Sequence, residues 1–306
     1  MKKKLKNSLS FIVSLMAMFL ILIASFSLFL DRVILNEKTY IKVLEEEQIY
    51  EKVESYIYEN IQYLLMESNI SEDTLNDVIL KEEIEEVLCD YVYYTVGFMK
   101  SGSGEIEPLN KTVYEERIND KINAYLRENN MYVSTEFSEN IDEFKANILT
   151  IICSSLQVID LNALSNSNAI KVIAKLSSLI SGVKFLAIIV LAIVLLSVLQ
   201  FIIWNKRRRV RRYAWIGYSF LSAGMIIFLI GISGYLSGFY KHIAIGVEHL
   251  RNTIVAIMQS YLLNFTYIGL GSIALGLLFM FVYWKHLFKV YSNNSKVSLK
   301  HSNNSI

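Results

Sequence analysis

The chain has 306 residues, of which 53% are hydrophobic, and its formal net charge at pH 7 is +1. A mean hydropathy of +0.37 is too high for an ordinary soluble domain and argues against a simple globular enzyme. The small net charge hides an asymmetry, because 28 of the 29 acidic residues lie between Asp31 and Asp160.

Four apolar runs dominate the rest of the chain. The first, residues 9–30, has no charged residue, and the others lie within 183–204, 213–237 and 265–284. About 20 apolar residues are enough to cross the hydrocarbon core of a bilayer, where backbone polar groups must pair within a helix. The first run is longer than the apolar part of a signal peptide, which favours an uncleaved anchor. The sequence therefore predicts an all-α, polytopic membrane protein with four transmembrane helices.

Lysine and arginine cluster at both ends of the chain and at the turn between the second and third runs. Cytoplasmic loops are enriched in these residues near membrane ends, so all three clusters are predicted on the cytoplasmic side. The topology anchors predicted in the turn are Lys206, Arg207, Arg208, Arg209, Arg211 and Arg212. A turn of eight residues offers no folded surface for bases, so the expected partner is the lipid bilayer and not nucleic acid.

The predicted organisation alternates between membrane spans and loops. It comprises a cytoplasmic N-terminus at 1–8, transmembrane helix 1 at 9–30, an extracytoplasmic acidic helical domain at 31–182, transmembrane helix 2 at 183–204, a cytoplasmic basic turn at 205–212, transmembrane helix 3 at 213–237, an outer loop with an amphipathic helix at 238–264, transmembrane helix 4 at 265–284 and a cytoplasmic tail at 285–306.

The segment 31–182 carries 13 lysines and arginines against 28 acidic residues, which gives a net charge of −15. Its apolar residues recur at three- and four-residue steps, which predicts an extracytoplasmic bundle of four or five helices. The residues assigned to the first apolar face are Ile49, Val53, Ile57, Ile61 and Leu64. Val113 is assigned to the apolar face of the helix at 111–128, and the aromatic stretch 90–98 favours a helix over a strand.

The only two cysteines, Cys89 and Cys153, fall on different predicted helices of this segment. An oxidising compartment would permit a disulfide that closes a long loop. Each cysteine also has apolar neighbours, which suit a buried free thiol. The sequence leaves both alternatives open.

Glycines recur at intervals of seven in the third run and again in the fourth. The positions are Gly217, Gly224, Gly231, Gly238, Gly269 and Gly276. A seven-residue repeat keeps small residues on one helix face, and small residues let two backbones approach closely in lipid. The sequence predicts that the third and fourth spans pack as an antiparallel pair. Gln200, a strongly polar residue in the second span, is expected to hydrogen-bond to another helix.

The outer loop contains the amphipathic stretch 248–265, which is expected to lie on the membrane surface or against the acidic domain. His242 and His249 flank Glu248, but a zinc site needs three or four converging ligands. We therefore expect no metal site, no cofactor and, because no catalytic motif is present, no enzyme activity.

Residues 28–64 resemble the start of the first outer loop in uncharacterised bacterial four-pass integral membrane proteins. The shared features are a polar exit from the membrane, an aromatic residue near Tyr40 and regularly spaced aliphatic residues. The layout is also similar to that of the FtsX/MacB-type permeases that work with ABC ATPases, although the inner turn is too short for their coupling segment. The excess of lysine over arginine, with many isoleucines and asparagines, favours a bacterial source.

These patterns predict a non-enzymatic protein of a bacterial cytoplasmic membrane with both termini in the cytoplasm. Its acidic helical domain would bind or scaffold an envelope protein, and the sequence also permits an oligomer. The alternative is a subunit of a transport complex whose pore or ATPase is supplied by other chains.

Overall fold

The computed structural model describes residues 3–102, 109–131, 135–156, 168–180, 183–203 and 210–302. Throughout these ranges the regular secondary structure is helical, which confirms the all-α prediction. The helices are α1 (Lys3–Phe29), α2 (Glu37–Glu46), α3 (Ile49–Glu67), α4 (Lys81–Ser101), α5 (Lys111–Glu128), α6 (Thr135–Leu156), α7 (Asn168–Ile180), α8 (Val183–Ile203), α9 (Arg211–Ser237) and α10 (Glu248–Ser302). A π-helical turn, Leu30–Ile34, continues α1, and short 3-10 turns occupy Glu72–Leu75 and Phe239–His242.

Four helices are long and apolar enough to cross a membrane. The spanning stretches are Leu5–Ile34, Phe185–Ile203, Arg211–Ser237 and Leu250–Lys289. Each corresponds to one of the four apolar runs, which confirms four candidate spans and is compatible with a membrane protein.

The chain forms two compact units. The span unit contains residues 1–34, 178–242 and 258–306, and therefore most of the apolar helices. The bundle unit contains residues 35–177 and 243–257.

The core of the bundle unit is built on one face of α3. Its fully buried residues lie four positions apart, at Ile49, Val53, Ile57, Ile61 and Leu65. The sequence analysis assigns Leu64 to this face. The spacing of four residues instead continues to Leu65, so Leu65 is fully buried and Leu64 is only partly buried. Helix α3 packs against α4 and α6, and α5 packs against α6.

The other bundle helices add aliphatic and tyrosine side chains to this core. Residues 90–98 are helical within α4, so the strand alternative is wrong. In α5, Tyr114, Ile118 and Ile122 are buried, whereas Val113 is exposed. The assignment of Val113 to the apolar face is therefore wrong, since the inward face begins at its neighbour.

A single helix of 55 residues, α10, replaces two predicted segments. The sequence predicts an amphipathic helix in the loop 238–264, lying on the membrane surface or against the acidic domain, followed by a span at 265–284. Residues 243–257 belong to the bundle unit, in agreement with the second placement, but the helix runs from Glu248 through both segments without a break. No proline interrupts it, and its first glycine, Gly269, lies in the middle of a membrane helix.

Contacts within the span unit show that its helices alternate in direction. The side-chain amide of Gln200, near the end of α8, reaches Ser10 near the start of α1. Near the start of α9, the ring of Tyr213 lies 5.8 Å from that of Phe201 in α8 and 5.8 Å from that of His286 in α10. The beginnings of α1 and α9 therefore lie at the same end of the unit as the end of α8 and the His286 region of α10.

Candidate functional site

Helices α9 and α10 meet where their glycines lie. A Cβ atom added to Gly224 would stand 2.7 Å from the backbone nitrogen of Ile273 and 2.9 Å from the carbonyl oxygen of Gly269. One added to Gly276 would stand 2.8 Å from the backbone nitrogen of Leu221. Real Cβ atoms do not tolerate such distances, so the backbones are in direct contact. The contact depends on these glycines.

The order of the contacts along the two helices shows that they are antiparallel. Gly217 faces Gly276, and Gly231 faces Thr266, so the contact in α10 moves backward as α9 advances. Gly238, predicted at the same interface, lies outside it. Its φ of +63° ends α9 in a left-handed conformation, which a residue without a Cβ adopts at low cost.

The basic turn lies largely outside the described residues, which include Arg211 and Arg212 but not Lys206, Arg207, Arg208 or Arg209. The guanidinium carbon of Arg212 lies 3.9 Å from the centre of the Phe201 ring, and one of its nitrogens donates to the Tyr213 hydroxyl at 3.2 Å. Arg212 therefore joins α8 to α9 through a cation–π contact, in addition to its predicted role as a topology anchor.

A pair of serines joins α1 to α9. The Ser14 and Ser219 hydroxyl oxygens lie 2.7 Å apart. The Ser14 hydroxyl is also 3.0 Å from the carbonyl oxygen of Trp215, and that of Ser219 is 3.0 Å from the carbonyl oxygen of Ser14. Sequence reasoning missed this pair, because serine is common in membrane helices. The available signal was Ser10 and Ser14, four residues apart on one face of α1.

Gln200 makes the interhelical hydrogen bond expected of it. Its amide nitrogen donates to the carbonyl oxygen of Ser10 at 2.9 Å, and the side chain is 2% exposed. Among the described residues its amide oxygen has no hydrogen-bond partner. Gln200 lines a cavity of about 10 Å³ together with Ser14, Ser197 and Ser219. A cavity of this size holds one water molecule, which these groups can bind.

Ser14 and Ser219 also line a second, larger space. This groove of about 260 Å³ lies between α1 and α9. Its lining residues are Phe11, Ser14, Leu15, Met18, Trp215, Tyr218, Ser219 and Ser222. Ser14 and Ser219 therefore line both the small cavity and the groove. Taken together, the described residues that line the two spaces offer hydroxyls, an amide and aromatic rings. These groups can bind uncharged polar groups.

The two cysteines are free thiols in the structure, so the disulfide that the sequence left open is not formed. The sulfur of Cys89 lies 3.5 Å from the hydroxyl oxygen of Tyr50, and burial is the main cause that raises the pKa of Tyr50. Cys153 is buried, and burial raises the pKa of its thiol. A raised pKa reduces the thiolate that would begin disulfide exchange.

A half-buried ion pair links α4 to α5 in the bundle unit. Both terminal nitrogens of Arg117 donate to the carboxylate of Glu83, at 2.7 and 2.6 Å. The hydrogen bonds from Arg117 hold the pKa of Glu83 below its usual value. Burial raises the pKa of neighbouring Tyr114 to about 12, with a smaller contribution from the charge of Glu83. The pair is therefore structural, and it fixes two helices of the bundle.

Within the described part of the chain, no three histidine, cysteine, aspartate or glutamate side chains converge to hold a metal ion. Comparisons of the sequence with protein-family models and with curated proteins, and of the fold with solved structures, find no match. The serine pair with its two flanking spaces is the candidate site that the geometry supports.

Proposed function

We propose that this chain is a non-enzymatic integral membrane protein of a bacterial cytoplasmic membrane, with both termini in the cytoplasm. Its bundle unit would stand outside the cytoplasm and bind or scaffold a protein of the envelope. One observation carries the proposal. The bundle unit has its own continuous hydrophobic core, and all residues of that core come from the segment 31–182, which has a net charge of −15 from 13 basic and 28 acidic residues.

The bundle unit suits a binding role because its core is hydrophobic and its exposed surface is charged. The α3 face is filled by aliphatic residues such as Ile57, which leaves the charged side chains exposed. A strongly charged surface speeds association with a partner of opposite charge and makes that association sensitive to salt. The partner would therefore be a protein with a basic surface.

Orientation is tested by cysteine labelling in intact bacteria. The background carries Cys89→Ser and Cys153→Ser, and a single cysteine is placed at Tyr63, an exposed residue of α3. We expect a membrane-impermeant maleimide to label Tyr63→Cys in intact cells. The matched variant is Lys285→Cys, at an exposed position in α10 that should be labelled only after lysis. The reverse pattern would overturn the proposed orientation.

Partner binding is tested by photo-crosslinking from the same surface. A photoreactive phenylalanine derivative at Tyr63 or Tyr93, both exposed, should give a discrete crosslinked band that weakens as salt is raised. The control places the reagent at Ile188 in α8, where crosslinks to lipid should be insensitive to salt. A band at Tyr63 that does not respond to salt would contradict recognition by charge.

A second candidate function, a subunit of a transport complex, draws on the apolar surface of α8. Ile188, Leu195 and Ile202 are all exposed in the single chain, so they can contact lipid or another membrane chain. Mild-detergent purification distinguishes the candidates. Co-purification of a stoichiometric ATPase or permease chain supports the transport complex. Consistent absence of such a chain, together with a protein bound to the bundle unit, supports the scaffold.

A further inference from the structure

We propose that the groove between α1 and α9 binds one anionic phospholipid. Its phosphate would lie near Arg211 and its ester oxygens beside Trp215 and Tyr218. Its acyl chain would lie farther along the groove, against Leu15 and Met18. This site is independent of the proposed partner binding, because every lining residue belongs to the span unit.

The two walls of the groove differ in chemistry. The α1 wall is mainly apolar, with Phe11, Leu15 and Met18 at helical spacing. The α9 wall presents the Ser222 hydroxyl, together with Trp215 and Tyr218. Tryptophan and tyrosine favour the level of the lipid headgroups and esters, where one part of the ring is apolar and the rest can hydrogen-bond. A phospholipid offers the same combination of hydrocarbon and ester groups.

A positively charged residue lies one helical turn before the first α9 residue that lines the groove, on the side where the phosphate would lie. Arg211 is the first residue of α9 and precedes Trp215 by four positions, which puts it on the same helix face one turn away. The N-terminus of a helix also carries partial positive charge from its unpaired backbone N–H groups. The groove therefore has a mainly apolar α1 wall, and positive charge lies beyond one of its ends.

The volume agrees with a ligand that is only partly enclosed. The cavity of about 10 Å³ beside Gln200 has room for one water molecule, and the groove, at about 260 Å³, is far larger. This space takes the ester region and part of one acyl chain, while the rest of the lipid remains in the bilayer. The groove holds more than a single ordered water and less than a whole phospholipid.

The serine pair explains why the groove is stable as an open space. Ser14 and Ser219 hydrogen-bond to each other and to backbone carbonyls, so α1 and α9 are joined where they line the groove. The ring of Trp215 packs edge-on against Tyr218, with 6.1 Å between their centres. These contacts hold the lining residues in place before a lipid binds, which lowers the free-energy cost of binding.

The test uses Trp215 as the reporter. The full-length chain carries Trp204→Phe and Trp284→Phe, which leaves one tryptophan. It is reconstituted in phosphatidylcholine vesicles that contain the same small mole fraction of either brominated phosphatidylglycerol or brominated phosphatidylcholine. Bromine quenches tryptophan on contact. We expect the anionic lipid to quench about fivefold more effectively, the ratio that corresponds to ~1 kcal/mol for one arginine near an anionic group.

Matched variants locate the preference in the groove. Arg211→Gln should abolish it, whereas Arg211→Lys and the distant Lys289→Gln should retain it. Ser222→Phe fills the groove and should reduce quenching by both lipids, whereas Ser233→Phe, at another exposed serine of α9, should not. Equal quenching by the two lipids in the parent protein would overturn the proposal, as would a preference that survives in Arg211→Gln or quenching unchanged in Ser222→Phe.

Discussion

In the bundle unit, α3 buries Ile49, Val53 and Ile57 against neighbouring helices, whereas in the span unit the closest contacts are made by residues with almost no side chain. The first arrangement gains free energy by removing aliphatic surface from water. That gain is absent between helices surrounded by lipid, where close backbone approach and interhelical hydrogen bonds replace it. The two units are therefore packed in different ways. The unit with a charged surface buries aliphatic side chains, and the unit with an apolar surface brings helix backbones together at glycines.

The largest expected effect comes from the bundle core. Ile57→Ala removes a fully buried side chain and should lower the free energy of unfolding of this unit by about 2–5 kcal/mol. The measurement is denaturant unfolding of the full-length protein in detergent, followed by circular dichroism. The control is Val113→Ala at an exposed position, which should change stability by less than about 0.5 kcal/mol. Equal losses in the two variants would contradict the core described here.

The matching change in the span unit makes a side chain larger. Gly224→Ala places a Cβ 2.7 Å from the Ile273 nitrogen and should destabilise the α9–α10 contact by about 1–3 kcal/mol. The thermal midpoint in detergent reports the loss. Gly271→Ala is the matched control, because a Cβ there meets nothing within 4 Å. If both variants melted at the parent temperature, close packing by the glycines would be refuted.

The ion pair between Glu83 and Arg117 gives the bundle unit a pH dependence. The pKa of Glu83 is lower in the folded protein than in the unfolded chain, so its contribution is complete above the unfolded pKa of about 4.3. That contribution is lost as the pH falls below 4.3 and through the folded pKa. Arg117→Gln should lower stability by about 1 kcal/mol at neutral pH, after allowance for partial exposure, and less at acidic pH.

Denaturant unfolding of parent and variant across this range checks the prediction, with Lys42→Gln as a control. Lys42 makes an exposed ion pair with Glu46, so little change is expected. A loss in Arg117→Gln that is the same at acidic and neutral pH would show that the pairing with Glu83 does not cause it.

The smallest expected effect is that of Gln200→Leu. The change removes one interhelical hydrogen bond, worth about 0.6 kcal/mol in membrane proteins, and also removes a buried oxygen that has no partner among the described residues. The two consequences oppose each other, so the thermal midpoint in detergent should move little. A loss as large as that of Gly224→Ala would mean that the amide oxygen binds a structural water in the adjoining cavity.

Local patterns were sufficient for the helical class and the four spans, because long uncharged runs have no other stable form in lipid. They also located the face of α3, since a spacing of three and four residues is a property of one helix. They were less accurate at the ends of each face. Leu64 and Leu65 are both apolar, and only the packed neighbours of α3 show that Leu65 is the fully buried one.

The sequence by itself determined which residues share each helix face, including the glycines at intervals of seven. The reason is that the spacing of residues along a helix fixes the side of the helix on which each lies. The tertiary structure alone decided which faces meet. Ser14 and Ser219 are separated by more than 200 residues in the chain, yet their hydroxyls lie 2.7 Å apart. Likewise, two predicted segments proved to be the single helix α10. Such pairings depend on how several helices pack at once, and no spacing within one helix contains that information.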